Sequence, residues 1–428
     1  MKRALKILLA LVALAAISQT PFAYRRRQLS KLDSIIRGLN SQRARTDDAG
    51  LADYRGAMHV HSSLGGHSTG TLAEIVAGAR AAGLAFVVMT EHPSSLIDTR
   101  AATLRDTHDG VLFVPGNETS ESESDRLLTF GGPMPAPPSG AARATDANNV
   151  NANNANSASA QTNVASTQTL IDRAKAAGDL VFVAHPETFQ SWRTARGFDG
   201  MEVYNLHADA KHVNKFTMLF DGLWSYRSFA PLLWTRFYTA PADNLKRWDE
   251  LTTQGRRVVA VAGNDAHANV GVSLQDLAGH SLFRIKLDPY ERSFSVVRTH
   301  VLLPRDQAFD ERSLLAALAA GHAYVSFDLL CDATGFRFTA TNGTEPGGSK
   351  SQGDEIALAG GVRLRVVAPV ETRIVVVKDG REFGERVGRE AEWQAAERGV
   401  YRVECYLPQL PAPLDAKPWI ISNPIYVR

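Results

Sequence analysis

Apolar positions along this chain fall into short runs separated by polar punctuation. Residues 56–61, 85–90, 111–114, 180–184, 200–204 and 257–262 are runs of this kind. Each is followed by polar residues, which predicts strands buried on both faces of a parallel sheet. Helical periodicity lies between them, as in residues 71–82, which end at Gly83. Six or seven such units in series over residues 55–330 predict an α/β fold of the β/α-barrel type.

Three stretches depart from that pattern. Residues 133–168 are rich in Pro, Ala, Ser and Asn, including Asn148, Asn149, Asn151, Asn153, Asn154 and Asn156. With almost no large apolar residue to offset the entropy of ordering, they read as a disordered low-complexity insertion in a barrel loop. Beyond Phe336 the texture becomes alternating, with strands expected at 362–367, 373–377 and 400–406 and a turn at 378–381. Residues 336–428 therefore read as a small all-β, sandwich-like domain. At the other end, Lys2, Arg3 and Lys6 precede an apolar run at 7–17, and Arg25, Arg26 and Arg27 follow it. Residues 1–27 read as a secretory signal peptide or an uncleaved membrane anchor. Either places the folded body outside the cytoplasm, as a periplasmic or extracellular protein or one anchored to the inner membrane.

Composition narrows the classes further. Of the 428 residues 44% are hydrophobic, enough for a substantial core. The 47 basic and 45 acidic side chains nearly cancel, so no nucleic-acid partner is expected. Cys331 and Cys405 are the only cysteines, which excludes a disulfide scaffold and a four-cysteine zinc site. In an oxidising compartment they admit either a mutual disulfide or two free thiols.

The candidate chemistry lies in the histidines. His59 and His61 are two apart on an expected strand, where alternation sends both rings to one face. His67 follows in a Gly-rich turn. His92, Glu118, His185, and the pair Asp265 and His267 each stand where an expected strand ends. In a parallel barrel those ends face one mouth, so six histidines and two carboxylates would converge on one basin suited to metal ions.

The series His59-Val60-His61, His67, Thr90-Glu91-His92, Pro115-Gly116-Asn117-Glu118, Ala184-His185-Pro186 and Asp265-Ala266-His267 resembles the PHP domain, named for polymerase and histidinol phosphatase. The resemblance covers about residues 55–325 and is greatest to a metallohydrolase branch that includes carbaryl hydrolases. Residues 313–326 are similar to a closing helix and strand of that branch. It implies a distorted seven-stranded β/α barrel holding two or three divalent ions, Zn²⁺, Mn²⁺ or Fe²⁺. By the family pattern His59, His61, Glu118 and Asp265 would hold one ion, and Glu118 would bridge to a second held by His185. His67, His92 and His267 would hold a third.

One position departs from that pattern. Arg126 stands where many members carry a further His, and a guanidinium does not ligate metals. Glu121, Glu123 or His108 would replace that ligand, or Arg126 would clamp an anionic group of the substrate; a place on the surface is the third reading. Glu91 and Glu187 adjoin ligands and are expected to orient them. His207 is a candidate for the mouth or for a solvated loop, and His212, His280, His300 and His322 carry no motif. The aromatic stretch 216–238 is expected to be core.

The function expected from these features is a metal-dependent hydrolase outside the cytoplasm. A hydroxide bridging two ions, held by Glu118 and Asp265, would attack a small-molecule phosphoester. Two alternatives stay open: ester, amide or carbamate hydrolysis on the same site, and a catalytically silent metal-binding envelope protein whose β domain binds a partner. Membrane association is expected only through the N-terminus.

Overall fold

A computed structural model of the protein describes residues 2–44, 50–120, 124–133, 158–210, 215–275, 281–342 and 349–428. The fold is mixed α/β. A long helix α1 (Lys2–Ser41) leads into β1 (Leu51–Val60), α2 (Leu72–Ala81), β2 (Phe86–Met89) and α3 (Thr99–Ala102). Four short strands follow: β3 (Asp106–His108), β4 (Val111–Val114), β5 (Gly116–Ser120) and β6 (Arg126–Phe130). Next come α4 (Ala158–Ala176), β7 (Leu180–Ala184), β8 (Gly200–Asn205), α5 (Leu206–Ala210), α6 (Lys215–Leu233) and α7 (Ala242–Thr253). Then follow β9 (Val259–Ala266), β10 (Gly271–Gln275), β11 (Ser281–Lys286), α8 (Tyr290–Val296), β12 (Arg298–Pro304), α9 (Glu311–Ala320) and β13 (Ala323–Ser326). The C-terminal part holds β14 (Arg337–Thr341), β15 (Lys350–Ser351), β16 (Glu355–Ile356), β17 (Val362–Lys378) and β18 (Arg381–Ala395). It continues through β19 (Gly399–Tyr406), β20 (Ile420–Ser422) and β21 (Ile425–Val427).

Local chemistry sets these boundaries. Thr71 and Glu74 form a reciprocal capping box at the start of α2, and Gly83 takes a left-handed φ of 65° just past its end. The two strands expected at 362–367 and 373–377 are one strand, β17, with a register break between Val367 and Thr372. It turns into β18 through Asp379 and Gly380, both left-handed, as a two-residue hairpin requires.

Parallel pairing links β4 to β2, β2 to β1, β1 to β9, β9 to β8, and β8 to β7. Alternate residues of these strands enter different cores. Phe86 and Val88 of β2 join Met58, Phe182, Val259 and Val261 in one cluster. Val87 and Met89 join Ile75, Ala79 and Phe294 in another, beneath α2 and α8. Burial on both faces explains the unbroken apolar runs.

The expectation of uniformly parallel strands is corrected beyond β7. There β6 pairs antiparallel with β7, and β5 antiparallel with β6, to which the short connection 121–125 joins it. The sheet as a whole is mostly antiparallel, since β1 also pairs with β12, β12 with β13, and β13 with β20 of the C-terminal part.

Two further expectations change. α4 begins at Ala158, so 158–168 are helical and not part of a disordered insertion; residues 134–157 lie outside the described residues. Thr167 docks there, its hydroxyl donating to the buried carboxylate of Asp125 at 3.0 Å, and Ile171 joins the core. Residues 336–428 also share one core with the rest: Tyr204, Trp248 and Val325 cluster with Phe336, Tyr401 and Trp419. Cys331 and Cys405 are buried free thiols, not a disulfide.

Candidate metal centre

β1 does not deliver His59 by simple alternation. Met58 pairs with Val88 and Val60 with Met89, so His59 is an extra residue in a bulge, with φ of 63°. His61 follows the end of the strand. His185 and Asp265 also adopt positive φ, 48° and 47°. For non-glycine residues such backbone costs about 1–3 kcal/mol each and persists where surroundings enforce it. Three of the expected ligands thus sit on strained backbone.

The bulge and strand ends bring the side chains together. Glu118 Oε2 lies 3.3 Å from His59 Nε2, 3.5 Å from His61 Nε2 and 3.4 Å from His92 Nε2. Its Oε1 lies 3.6 Å from His185 Nε2. Asp265 Oδ1 is 3.5 Å from His59 Nε2 and 3.4 Å from His61 Nε2, and its Oδ2 is 3.3 Å from His185 Nε2. Three groups could each hold an ion: His59, Glu118 and His185; His59, His61 and Asp265; and His61, His92 and His267.

These spacings identify the environment the atoms fit. Donors on a tetrahedral ion at bonds of about 2.1 Å stand about 3.4 Å apart, longer than a good hydrogen bond. Consistently, the buried atoms His59 Nε2, His61 Nε2, His185 Nε2 and Glu118 Oε2 have no hydrogen-bond partner. Unsatisfied buried polar atoms are costly, and a bound cation could satisfy this group together.

Charge is compatible with the same arrangement. Glu118, Asp265 and Glu202 are buried together. Burial disfavours charge on His61 and brings its pKa to about 3, against the pull of Asp265. Burial likewise takes His92 to about 4 despite Glu118. For His59 burial is outweighed by Glu202, Asp265 and Glu118, and its pKa rises well above the usual value. A divalent cation would relieve the carboxylates without charging the rings.

Supporting contacts fix ring orientation. Glu202 Oε1 meets His59 Nδ1 at 2.6 Å, while its Oε2 accepts from the His185 amide at 3.1 Å and from Asn205 Nδ2 at 2.9 Å. Glu187 Oε1 lies 3.2 Å from His185 Nδ1, as expected of an orienting carboxylate. Glu91 acts differently: its carboxylate accepts from the Ser62 amide and the Thr103 hydroxyl, holding backbone just past His61 and no ligand ring. The Tyr290 hydroxyl donates to the His61 carbonyl at 2.6 Å.

The remaining candidates separate. His67 is exposed, its ring centroid 4.6 Å from that of His92, and His61 takes its place in the group with His92 and His267. Arg126 opens β6 half-exposed, with Nη1 3.3 Å from Glu118 Oε1, so it borders the cluster. His108 is exposed on β3 with Nε2 against the Arg105 carbonyl, away from the cluster; Glu121, Glu123, His212 and His280 lie outside the described residues. The His207 ring stands 5.1 Å from that of His267. Glu202 went unrecognised in the sequence, although a carboxylate inside the apolar strand 200–204 was its signal. No family model matches the chain, and no curated protein matches it.

Proposed function

We propose that the chain is a metal-dependent hydrolase of the PHP kind acting on phosphoesters, held outside the cytoplasm by an N-terminal anchor. The observation that carries this reading is the set of buried, unpartnered His and Glu ligand atoms with separations of 3.3–3.6 Å. The strand pairings support it: β4, β2, β1, β9, β8, β7, β6 and β5 follow one another as neighbours, and β5 comes directly after β4 in the chain, past Pro115. Counted with β4 and β5 as one strand these are seven, the number that this reading requires.

When bound, divalent ions supply a water acidified toward neutral pH and counter-charge for anionic oxygens. The chain's own residues supply position. Glu202 accepts a hydrogen bond from His59 Nδ1–H, leaving Nε2 directed at Glu118 and Asp265. Glu187 does the same for His185, and the Asp265 carbonyl accepts from His267 Nδ1 at 2.8 Å. Arg126 adds a permanent cation with a planar donor fork beside Glu118, the feature that favours an anionic phosphate over a neutral ester.

Metal analysis of the purified protein, combined with a panel of aryl phosphate mono- and diesters and aryl esters, tests the reading. Metal with phosphate turnover is expected. Turnover of neutral esters alone would replace the phosphoesterase assignment, and metal without any turnover would leave a silent metal-binding protein.

A further inference from the structure

Among the described residues, α1 carries a large apolar surface with no protein against it. Leu5, Leu8, Leu11, Leu14 and Ile17 of α1 are each more than half exposed, as is Ile7, and they face every side of the helix. A helix apolar all round belongs in a core or a bilayer. Residues 4–23 at 1.5 Å rise span about 30 Å, the thickness of a bilayer's hydrocarbon layer. Lys2 and Arg3 precede the stretch, Lys6 lies in its first turn, and Arg25, Arg26 and Arg27 follow it.

What happens where the apolar stretch ends is specific to this chain. α1 runs on past Pro21 as one helix, and Leu29, Leu32 and Leu39 are buried in the main core. Arg25 Nε pairs with the buried Asp221 of α6 at 2.9 Å, and Asp221 is held from its other side by Arg236 at 2.7 Å. Arg26 donates to the Trp224 carbonyl at 2.6 Å and to Ser228 Oγ at 3.0 Å. The Phe22 ring stacks on Trp224 with centroids 6.0 Å apart. At this junction Trp224 remains 45% exposed and Tyr24 66%, against the rule that large aromatics are covered.

Exposed Trp and Tyr at the end of an apolar helix are placed as residues of a membrane–water interface are. We propose that Phe22, Tyr24 and Trp224 form a belt that seats the folded body on a lipid bilayer, with α1 retained as span and strut in one helix. The proposal rests on the anchor reading above and adds to it a second contact, made by α6. The Arg25–Asp221–Arg236 bridge and the buried leucines tie the helix to the body directly after Pro21, with no linker between span and body. The body therefore has one face toward the membrane and does not swing.

The full chain reconstituted into vesicles of phosphatidylethanolamine and phosphatidylglycerol provides the test. Their acyl chains carry bromine either near the headgroup or near the methyl end. Intact mass of membrane-extracted protein should equal that of the whole chain. Tryptophan emission should be quenched more by the shallow bromine, and Trp224→Phe, which keeps a ring against Phe22, should remove most of that quenching. A mass lacking the apolar stretch, or release of the protein by urea, would overturn the anchor itself. An anchored protein whose quenching Trp224→Phe leaves unchanged would overturn the belt alone.

Discussion

Glu202 reaches His59 only because residue 263 has no side chain. A Cβ at Gly263 would overlap the Glu202 carboxylate, which in turn lies 2.6 Å from His59 Nδ1. Gly263→Ala should therefore displace Glu202 and release the His59 ring. Metal affinity, measured by competition with a chelator, should fall by about 10–100-fold in Gly263→Ala and in Glu202→Gln. Affinity unchanged in both would remove Glu202 from the centre.

His61 and His59 should respond differently to truncation. His61 has no hydrogen-bond partner on either ring nitrogen, so His61→Ala should lose metal with little change in the melting temperature of the metal-free protein. His59→Ala leaves the buried Glu202 carboxylate without its main partner, and should cost about 3 kcal/mol or more in that state. Denaturant unfolding of the metal-free variants distinguishes them.

Arg126 should separate the two hydrolytic chemistries. Arg126→Ala should raise KM for phosphoesters by the equivalent of about 1.5–3 kcal/mol, the worth of a charged hydrogen bond, and leave neutral aryl esters nearly untouched. Equal kinetics on both substrate types would place Arg126 outside substrate binding.

A second buried cluster gives stability a pH dependence. His300 Nδ1 lies 2.8 Å from Asp53 and its Nε2 3.3 Å from Asp328, which also pairs with Arg298 at 2.9 Å. Burial resists charge on His300, but Asp328 and Asp53 overcome it and raise its pKa to about 9 from 6.5. A raised folded pKa gives stability that is fully present below 6.5 and lost as pH rises through 9. The loss should amount to about 3 kcal/mol between those values. Melting temperature against pH should fall over that window in the natural chain and run flatter in His300→Gln.

The parts of this arrangement that were legible in the sequence are those set by local pattern. The capped α2, the runs at 111–114 and 180–184 and the turn at 378–381 appear where periodicity and turn residues put them. The clustering of His59, His61, His92, Glu118, His185, Asp265 and His267 followed from their places at strand ends. Features that depend on a partner distant in sequence were not legible. The bulge that turns His59 inward is a mismatch of register between β1 and β2, and alternation alone gave the wrong reason for its direction. Glu202 acquires its role from contacts 143 and 17 residues away. Thr167 is ordered by Asp125, which composition does not report.

The shared core also sets an order of events during synthesis. Tyr238 donates its hydroxyl to the Pro418 carbonyl, Trp419 is fully buried, and β20 completes the edge of β13. Residues of β9 thus wait for partners some 160 positions later, as Ala260 does for the Asn423 side chain. A chain built this way cannot close its core behind the ribosome domain by domain. It remains incomplete until residues 419–427 have emerged.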